Sequence, residues 1–170
     1  EDFLVVAGST RPGEESILID VFRELRREDS RYRLVIAPRH VERLEEVRQV
    51  CRDGGIDHAV YGDGATAPIV IIDRMGLLMD LYMAADLAFV GGTLADIGGH
   101  NILEPVWAGT PVVYGPSLAN VADAADYIEA LGYGVRVADA AALTTVIRSV
   151  RQGATTFARK TEHDLEQSAA

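Results

Sequence analysis

A Rossmann-like, doubly wound α/β domain is predicted by three features of this 170-residue sequence. Its strand candidates are short, solidly apolar runs, the pattern of strands buried on both faces of a parallel sheet. They alternate with stretches whose apolar residues recur at helical spacing, as in repeated β-α units. Glycine, proline or a polar cluster punctuates nearly every junction.

Residues 3–7 open as a strand, which the loop Gly8-Ser9-Thr10-Arg11-Pro12-Gly13 stops. Ile17, Leu18, Val21, Phe22 and Leu25 then mark a helix with Arg and Glu on its outer face. Leu34-Val35-Ile36-Ala37 is the second strand, ended by Pro38, and Leu44, Val47, Val50 and Cys51 line a helix that Gly54-Gly55 terminates. Residues 58–61 and 69–72 are further strands, the second closed by Asp73. A helix over 77–86, a strand over 87–90, a short helix over 102–108 and a strand over 111–114 follow. The order then runs helix 121–131, strand 134–137, helix 140–151. Residues 154–170 are polar and weakly amphipathic, and are expected to form a helical tail, either frayed or crossing to a partner domain in a longer chain.

The composition, 48% hydrophobic and 25% charged, excludes a disordered, collagen-like or disulfide-stapled chain. Cys51 is the sole cysteine, so no intrachain disulfide can form. With 16 basic against 26 acidic residues the net charge is −10, which repels nucleic acid and anionic lipid heads. No nucleic-acid partner is expected, and the piece itself is not expected to bind membranes; a small anionic ligand stays compatible where a few cations gather. No apolar run nears the ~20 residues of a membrane span. The start at Glu1-Asp2, with no initiator Met or signal peptide, reads as that of an excised domain.

In such sheets ligands bind beyond the carboxyl ends of the strands. The residues there are Gly8-Ser9-Thr10-Arg11, Pro38-Arg39-His40, Asp73-Arg74-Met75-Gly76 and Gly91-Gly92-Thr93, rich in glycine, hydroxyls and cations. The first loop matches neither the dinucleotide fingerprint nor the P-loop. Arg39 suits a bidentate phosphate contact, the alternative being a surface ion pair with Glu42. In Gly98-Gly99-His100-Asn101-Ile102-Leu103-Glu104-Pro105, the glycines permit close approach of a ligand and Asn101 is a candidate helix cap. Asn101 and Glu104, three apart, are expected on one face of the helix start, where anions are favoured. Glu104 there suits two adjacent ribose hydroxyls, or serves only as a favourable N-terminal charge. His40, His58, His100 and His163 are scattered and form no metal site; His40 and His100 are ligand candidates. No G-x-S-x-G elbow is present.

These residues, in order, resemble the C-terminal, donor-binding half of the Kdo transferases, which move 3-deoxy-D-manno-octulosonic acid (Kdo) from CMP-Kdo to a lipid A precursor. The resemblance rests on Gly8-Ser9-Thr10-Arg11 with Gly13-Glu14-Glu15, Pro38-Arg39-His40 with Glu42-Arg43, and Asp73 with Met75-Gly76 and Tyr82. It continues through Phe89-Val90-Gly91-Gly92, then Gly98-Gly99-His100-Asn101 with Leu103-Glu104-Pro105, to Gly109, Pro111, Gly115-Pro116 and Asn120. Leu77 stands where the family commonly has Glu, and Arg74 where a small hydroxyl residue is usual. Thr93 replaces Ser, and Val121 with Asp123 replaces Phe and Glu.

The resemblance implies the second domain of a GT-B glycosyltransferase, residues 1–153 binding the nucleotide sugar and the acceptor domain lying outside this chain. It implies that Arg39 and the Met75-Gly76-Leu77 turn hold cytidine and its phosphate, Asn101 the phosphate region and Glu104 the ribose. Ser9, His40, Gly98, Gly99 and His100 complete the implied donor site, Ser9 and His100 on the Kdo side. The implied chemistry is inverting transfer without metal or cofactor. Its general base lies in the other domain, so this piece binds donor without turning over. The implied setting is lipopolysaccharide biosynthesis at the cytoplasmic face of a bacterial inner membrane. Two alternatives remain at this point: a GT-B domain using a UDP-sugar (a transferase or UDP-GlcNAc 2-epimerase), and a non-catalytic flavodoxin-like binding module.

Overall fold

The structure, a computed structural model, describes residues 1–64 and 66–159. Among them, seven parallel strands form one sheet in the order β3-β4-β2-β1-β5-β6-β7. The strands are β1 (Phe3–Thr10), β2 (Tyr32–Pro38), β3 (His58–Val60), β4 (Ile69–Ile71), β5 (Leu87–Val90), β6 (Val112–Tyr114) and β7 (Gly134–Arg136). The helices between them are α1 (Glu14–Glu28), α2 (Leu44–Asp53), α3 (Leu78–Ala84), α4 (Leu103–Trp107), α5 (Ala122–Ala130) and α6 (Ala140–Arg151). A single 3-10 turn, Val41–Arg43, precedes α2.

The uniform apolarity of the strands has a direct cause: both faces are covered. On one face Val5, Ala7, Leu34 and Ile36 pack with Leu18, Phe22 and Leu25 of α1, Val47 and Cys51 of α2, and Leu143 and Ile147 of α6. On the other, Val6, Val35, Ala88 and Val90 pack with Tyr82 of α3, Val106 of α4, and Ala125 and Ile128 of α5. Val5, Val6 and Ala7 alternate between the two layers because successive strand side chains point to opposite faces. Cys51 is buried in the first layer, and burial pushes its thiol up to about 11, so it stays protonated at neutral pH.

Strand order reverses at β1, which lies between β2 and β5. The chain ends of these three strands are tied together. Arg39 N–H donates to Thr10 O (2.9 Å), and Gly91 N–H donates to Gly8 O (2.8 Å). At Gly91 a Cβ would lie 2.2 Å from Ser9 O and 2.6 Å from Thr10 Cα, both backbone atoms that cannot swing away. Gly91→Ala is therefore expected to destabilise the fold by about 1–3 kcal/mol or more through overpacking. Urea unfolding checks this; a midpoint unchanged from the parent would rule it out.

Of the expected helical tail over 154–170, residues 154–159 are described and are not helical. Gly153 turns left-handed (φ +72°) and stops α6. The N–H groups of Ala154 and Thr155 then fold back to Ser149 O, Phe157 packs on the core, and Ala158 N–H bonds Gly132 O at 2.9 Å. The rest of that expected tail lies outside the described residues. Among the described residues no helix is long and apolar enough to cross a membrane.

Candidate functional site

The carboxyl ends of β1, β2 and β4 and the start of α3 enclose a cleft lined by Ser9, Pro38, Arg39, Arg74, Met75, Gly76 and Leu77, with Leu78 and Leu81 at its floor. Five sequence-selected residues (Ser9, Arg39, Met75, Gly76 and Leu77) thus converge from three separate loops. Ser9 has φ +56° and sits where the register between β1 and β2 shifts. An L-residue held left-handed at an irregularity in a strand is stored strain, and here the irregularity turns the chain at the mouth of the cleft. Gly76 (φ +89°) makes the turn after Met75, whose side chain stands 67% exposed.

Arg39 is exposed and forms no ion pair among the described residues. The alternative partner Glu42 faces His40 instead (Oε1 to Nδ1, 3.9 Å). Arg74 is already engaged, bonding Asp73 at 2.8 Å and lying 5.3 Å over the Tyr61 ring. Arg39 is therefore the uncommitted guanidinium of this cleft. His40 is exposed, with its Nε2 3.2 Å from Arg11 Nη1. An arginine only donates, so in this contact Nε2 is the acceptor.

The second group of selected residues lies beyond β5. Gly99, His100 and Asn101 line a neighbouring depression together with Leu103, Asn120 and Val121. Here the packing of the chain itself requires the two glycines. A Cβ on Gly98 would lie 2.6 Å from Asn120 Nδ2, and one on Gly99 would lie 2.8 Å from Val121 Cγ2. They admit the α5 entry loop. Asn101 is a cap in the local sense, its Oδ1 accepting from Leu103 N–H at 3.0 Å. The helix it caps has only five residues, so its aligned dipole is short and adds little to anion binding.

His100 is half-buried, its Nε2 packed on Gly92 without a hydrogen-bond partner. Burial, and then the charges of Arg39 and Arg11, hold its pKa below the usual histidine value. Glu104 is half-buried with no hydrogen-bond or ion-pair partner among the described residues, and burial raises its pKa above the ordinary carboxylate range. Its charge adds to the burial that holds up the pKa of Tyr82, whose unpartnered hydroxyl lies against Gly8. A carboxylate kept partly dry and uncompensated is suited to accept hydrogen bonds from a ligand.

Two residues that carry the site went unrecognised as such in the sequence. Glu14, fully buried, gathers five backbone N–H groups. Its Oε1 accepts from Thr93 (3.1 Å), Leu94 (3.0 Å) and Ala95 (3.0 Å), and its Oε2 from Gly92 and Arg11 (both 2.9 Å). Glu15, also buried, accepts from Thr10 Oγ1 at 2.8 Å and pairs with Arg43 at 2.9 Å. The first clamps the loop after β5 to the start of α1; the second fixes the end of β1 against the entry to α2. Adjacent acids at a helix start after a glycine-rich loop were the available signal, but the loop that Glu14 clamps lies 78–81 residues further on.

No family model matches the chain. It is 37% identical over 151 residues to a bifunctional glycosyltransferase/methyltransferase of Fusobacterium nucleatum, covering 85% of this chain and 23% of that one. It is 36% identical over 141 residues to the 3-deoxy-D-manno-octulosonic acid transferase of Aquifex aeolicus, covering 83% of this chain and 40% of that one. The chain thus spans well under half the length of these relatives. Among solved structures, the C-terminal CMP-Kdo binding domain of WaaA from Acinetobacter baumannii superposes with a TM-score of 0.84 at 25% identity, over 99% of this chain and 88% of that one. Sequence and fold agree: the chain belongs to the 3-deoxy-D-manno-octulosonic acid transferase family and corresponds to its C-terminal, Rossmann-like domain.

Proposed function

We propose that this chain is the donor-binding half of an inverting glycosyltransferase that moves Kdo from CMP-Kdo to a lipid A precursor. The observation that carries the reading is the convergence of Ser9, Arg39 and the Met75-Gly76-Leu77 turn on one cleft, in a chain 36% identical to a Kdo transferase. Arg39, exposed and without an ion pair, takes the phosphate of CMP. The backbone of the 75–77 turn meets the cytosine, Leu77 contributing no polar side-chain contact. Glu104 accepts from the two ribose hydroxyls. Asn101 and His100 complete the donor side from the loop beyond β5, while Gly98 and Gly99 shape that loop.

As the sugar leaves CMP it gains oxocarbenium character and negative charge builds on the phosphate. Arg39 stabilises that charge from a fixed position, which lowers the barrier without requiring a proton at this atom. The base that deprotonates the acceptor hydroxyl, and the acceptor site itself, belong to the other half of the enzyme. In that whole enzyme the domain works at the cytoplasmic face of the bacterial inner membrane, and alone it binds donor but does not turn over.

Titration with CMP, UMP and AMP, followed by thermal shift and by NMR, tests this. CMP is expected to bind selectively and, at a hundredfold excess over its Kd, to stabilise by about 2.7 kcal/mol. Arg39→Ala is expected to weaken CMP about tenfold with the melting temperature of the unliganded protein unchanged. UMP preference would turn the assignment toward a UDP-sugar enzyme. Silence with all three nucleotides at millimolar concentration would remove the nucleotide site.

A further inference from the structure

Among the described residues Arg11 has no counter-ion, in a protein of net charge −10. Its Nε is buried and unpartnered, and among the described residues its Nη1 meets only the His40 ring, at 3.2 Å. The two carboxylates nearest in sequence are both engaged elsewhere. Glu14 binds five backbone N–H groups, including that of Arg11 itself, and Glu15 pairs with Arg43. A partly buried guanidinium left unmatched beside available acids is costly unless something else neutralises it.

Its position narrows what that something is. The bonds that join the ends of β1, β2 and β5 hang Arg11, Arg39, His40 and His100 from adjoining loops. Arg11 Nη1 lies 3.2 Å from His40 Nε2, and the charges of Arg39 and Arg11 act on His100, so the four groups share one neighbourhood. Arg11 nevertheless does not line the cleft that holds Arg39 and the Met75-Gly76-Leu77 turn. The crevice therefore presents two cationic positions, one inside the cleft and one beside it toward β5.

We infer that Arg11, backed by His40, forms a second anion subsite that takes the carboxylate of the donor's sugar acid, separate from the phosphate position at Arg39. This rests on the donor-binding reading above. A guanidinium fork matches a carboxylate with two parallel hydrogen bonds. An octulosonic acid carries such a group and CMP does not, so the two ligands report on the two positions separately. The subsite also supplies a selectivity element that a nucleotide-binding cleft lacks, because a neutral sugar on the same nucleotide would leave Arg11 unmatched.

The experiment is calorimetric titration of the chain, and of Arg11→Gln and Arg11→Lys, with CMP and with freshly prepared CMP-Kdo. The parent is expected to bind CMP-Kdo more tightly than CMP. Arg11→Gln is expected to lose about tenfold on CMP-Kdo and less than about twofold on CMP; Arg11→Lys, which keeps charge but not the fork, falls between. Equal losses on both ligands would assign Arg11 to the phosphate and overturn the inference, as would no loss on either. CMP binding that needs Arg39, together with CMP-Kdo binding indifferent to Arg11, would remove this inference alone. A parent chain that binds neither ligand would remove the donor reading and this subsite with it.

Discussion

Glu14→Ala is expected to lower the melting temperature by about 6–20 °C, from a loss of about 3–5 kcal/mol at this chain size. The carboxylate is fully buried and accepts from Arg11, Gly92, Thr93, Leu94 and Ala95. Removing it strands five backbone donors, four of them in a loop that has no regular partner of its own. Each charge-assisted bond contributes about 1.5–3 kcal/mol in isolation, but five bonds to one group are not additive. Water entering the vacated space recovers part of the loss. Glu14→Gln preserves the volume and discriminates between packing and charge. Its amide nitrogen is a donor placed where donors already point, so it is expected to lose nearly as much as Ala. Differential scanning calorimetry reads both; a Gln variant as stable as the parent would show that shape, not charge, holds the loop. The same loop leads to His100, so nucleotide affinity is expected to fall with stability in both variants.

That clamp also marks the limit of what the sequence reveals. The apolar runs at 3–7, 34–37 and 87–90 announce buried strands because local periodicity and composition carry that information, and β1, β2 and β5 stand there. Arg39 and Met75-Gly76-Leu77 are legible because a doubly wound sheet places its strand-end loops on one rim, and they do share a cleft. Glu14 is not legible in the same way. Four of its five partners lie 78–81 residues further along the chain, and an acid in the first turn of a helix looks the same whether it faces water or a buried loop. Gly98 and Gly99 are ambiguous for a related reason. A glycine signals that something approaches closely but not what; Asn120 and Val121 do so here. The stretch after Gly153 reads as weakly amphipathic, yet one anchored aromatic, Phe157, and the hydrogen bonds of 154, 155 and 158 to residues already placed fix an irregular path instead.

Glu104→Gln is expected to separate stability from binding. Burial raises the Glu104 pKa, so its folded-state value lies above that of the unfolded chain. A raised carboxylate is the reverse of the common salt-bridged case. The folded state holds its proton more tightly, so this group's contribution to stability is greatest at low pH. That contribution is lost as pH rises through the folded pKa, leaving a partly dry charge that disfavours folding at neutral pH. Removing the charge is therefore expected to leave the melting temperature at pH 7 unchanged or slightly raised. Binding moves the other way. Two ribose hydroxyls donating to an ionised carboxylate are worth about 1.5–3 kcal/mol each, and the amide oxygen retains part of that, so CMP affinity is expected to fall about 30–100-fold. The pH dependence follows from the same group. CMP binding to the parent is expected to weaken as pH drops through the raised pKa, above the ordinary carboxylate range, while Glu104→Gln lacks that component. Because the phosphate of CMP titrates in both proteins alike, the ratio of the two affinities at each pH isolates the carboxylate. A Gln variant that is both destabilised and unchanged in CMP affinity would mean that Glu104 serves only the start of its helix.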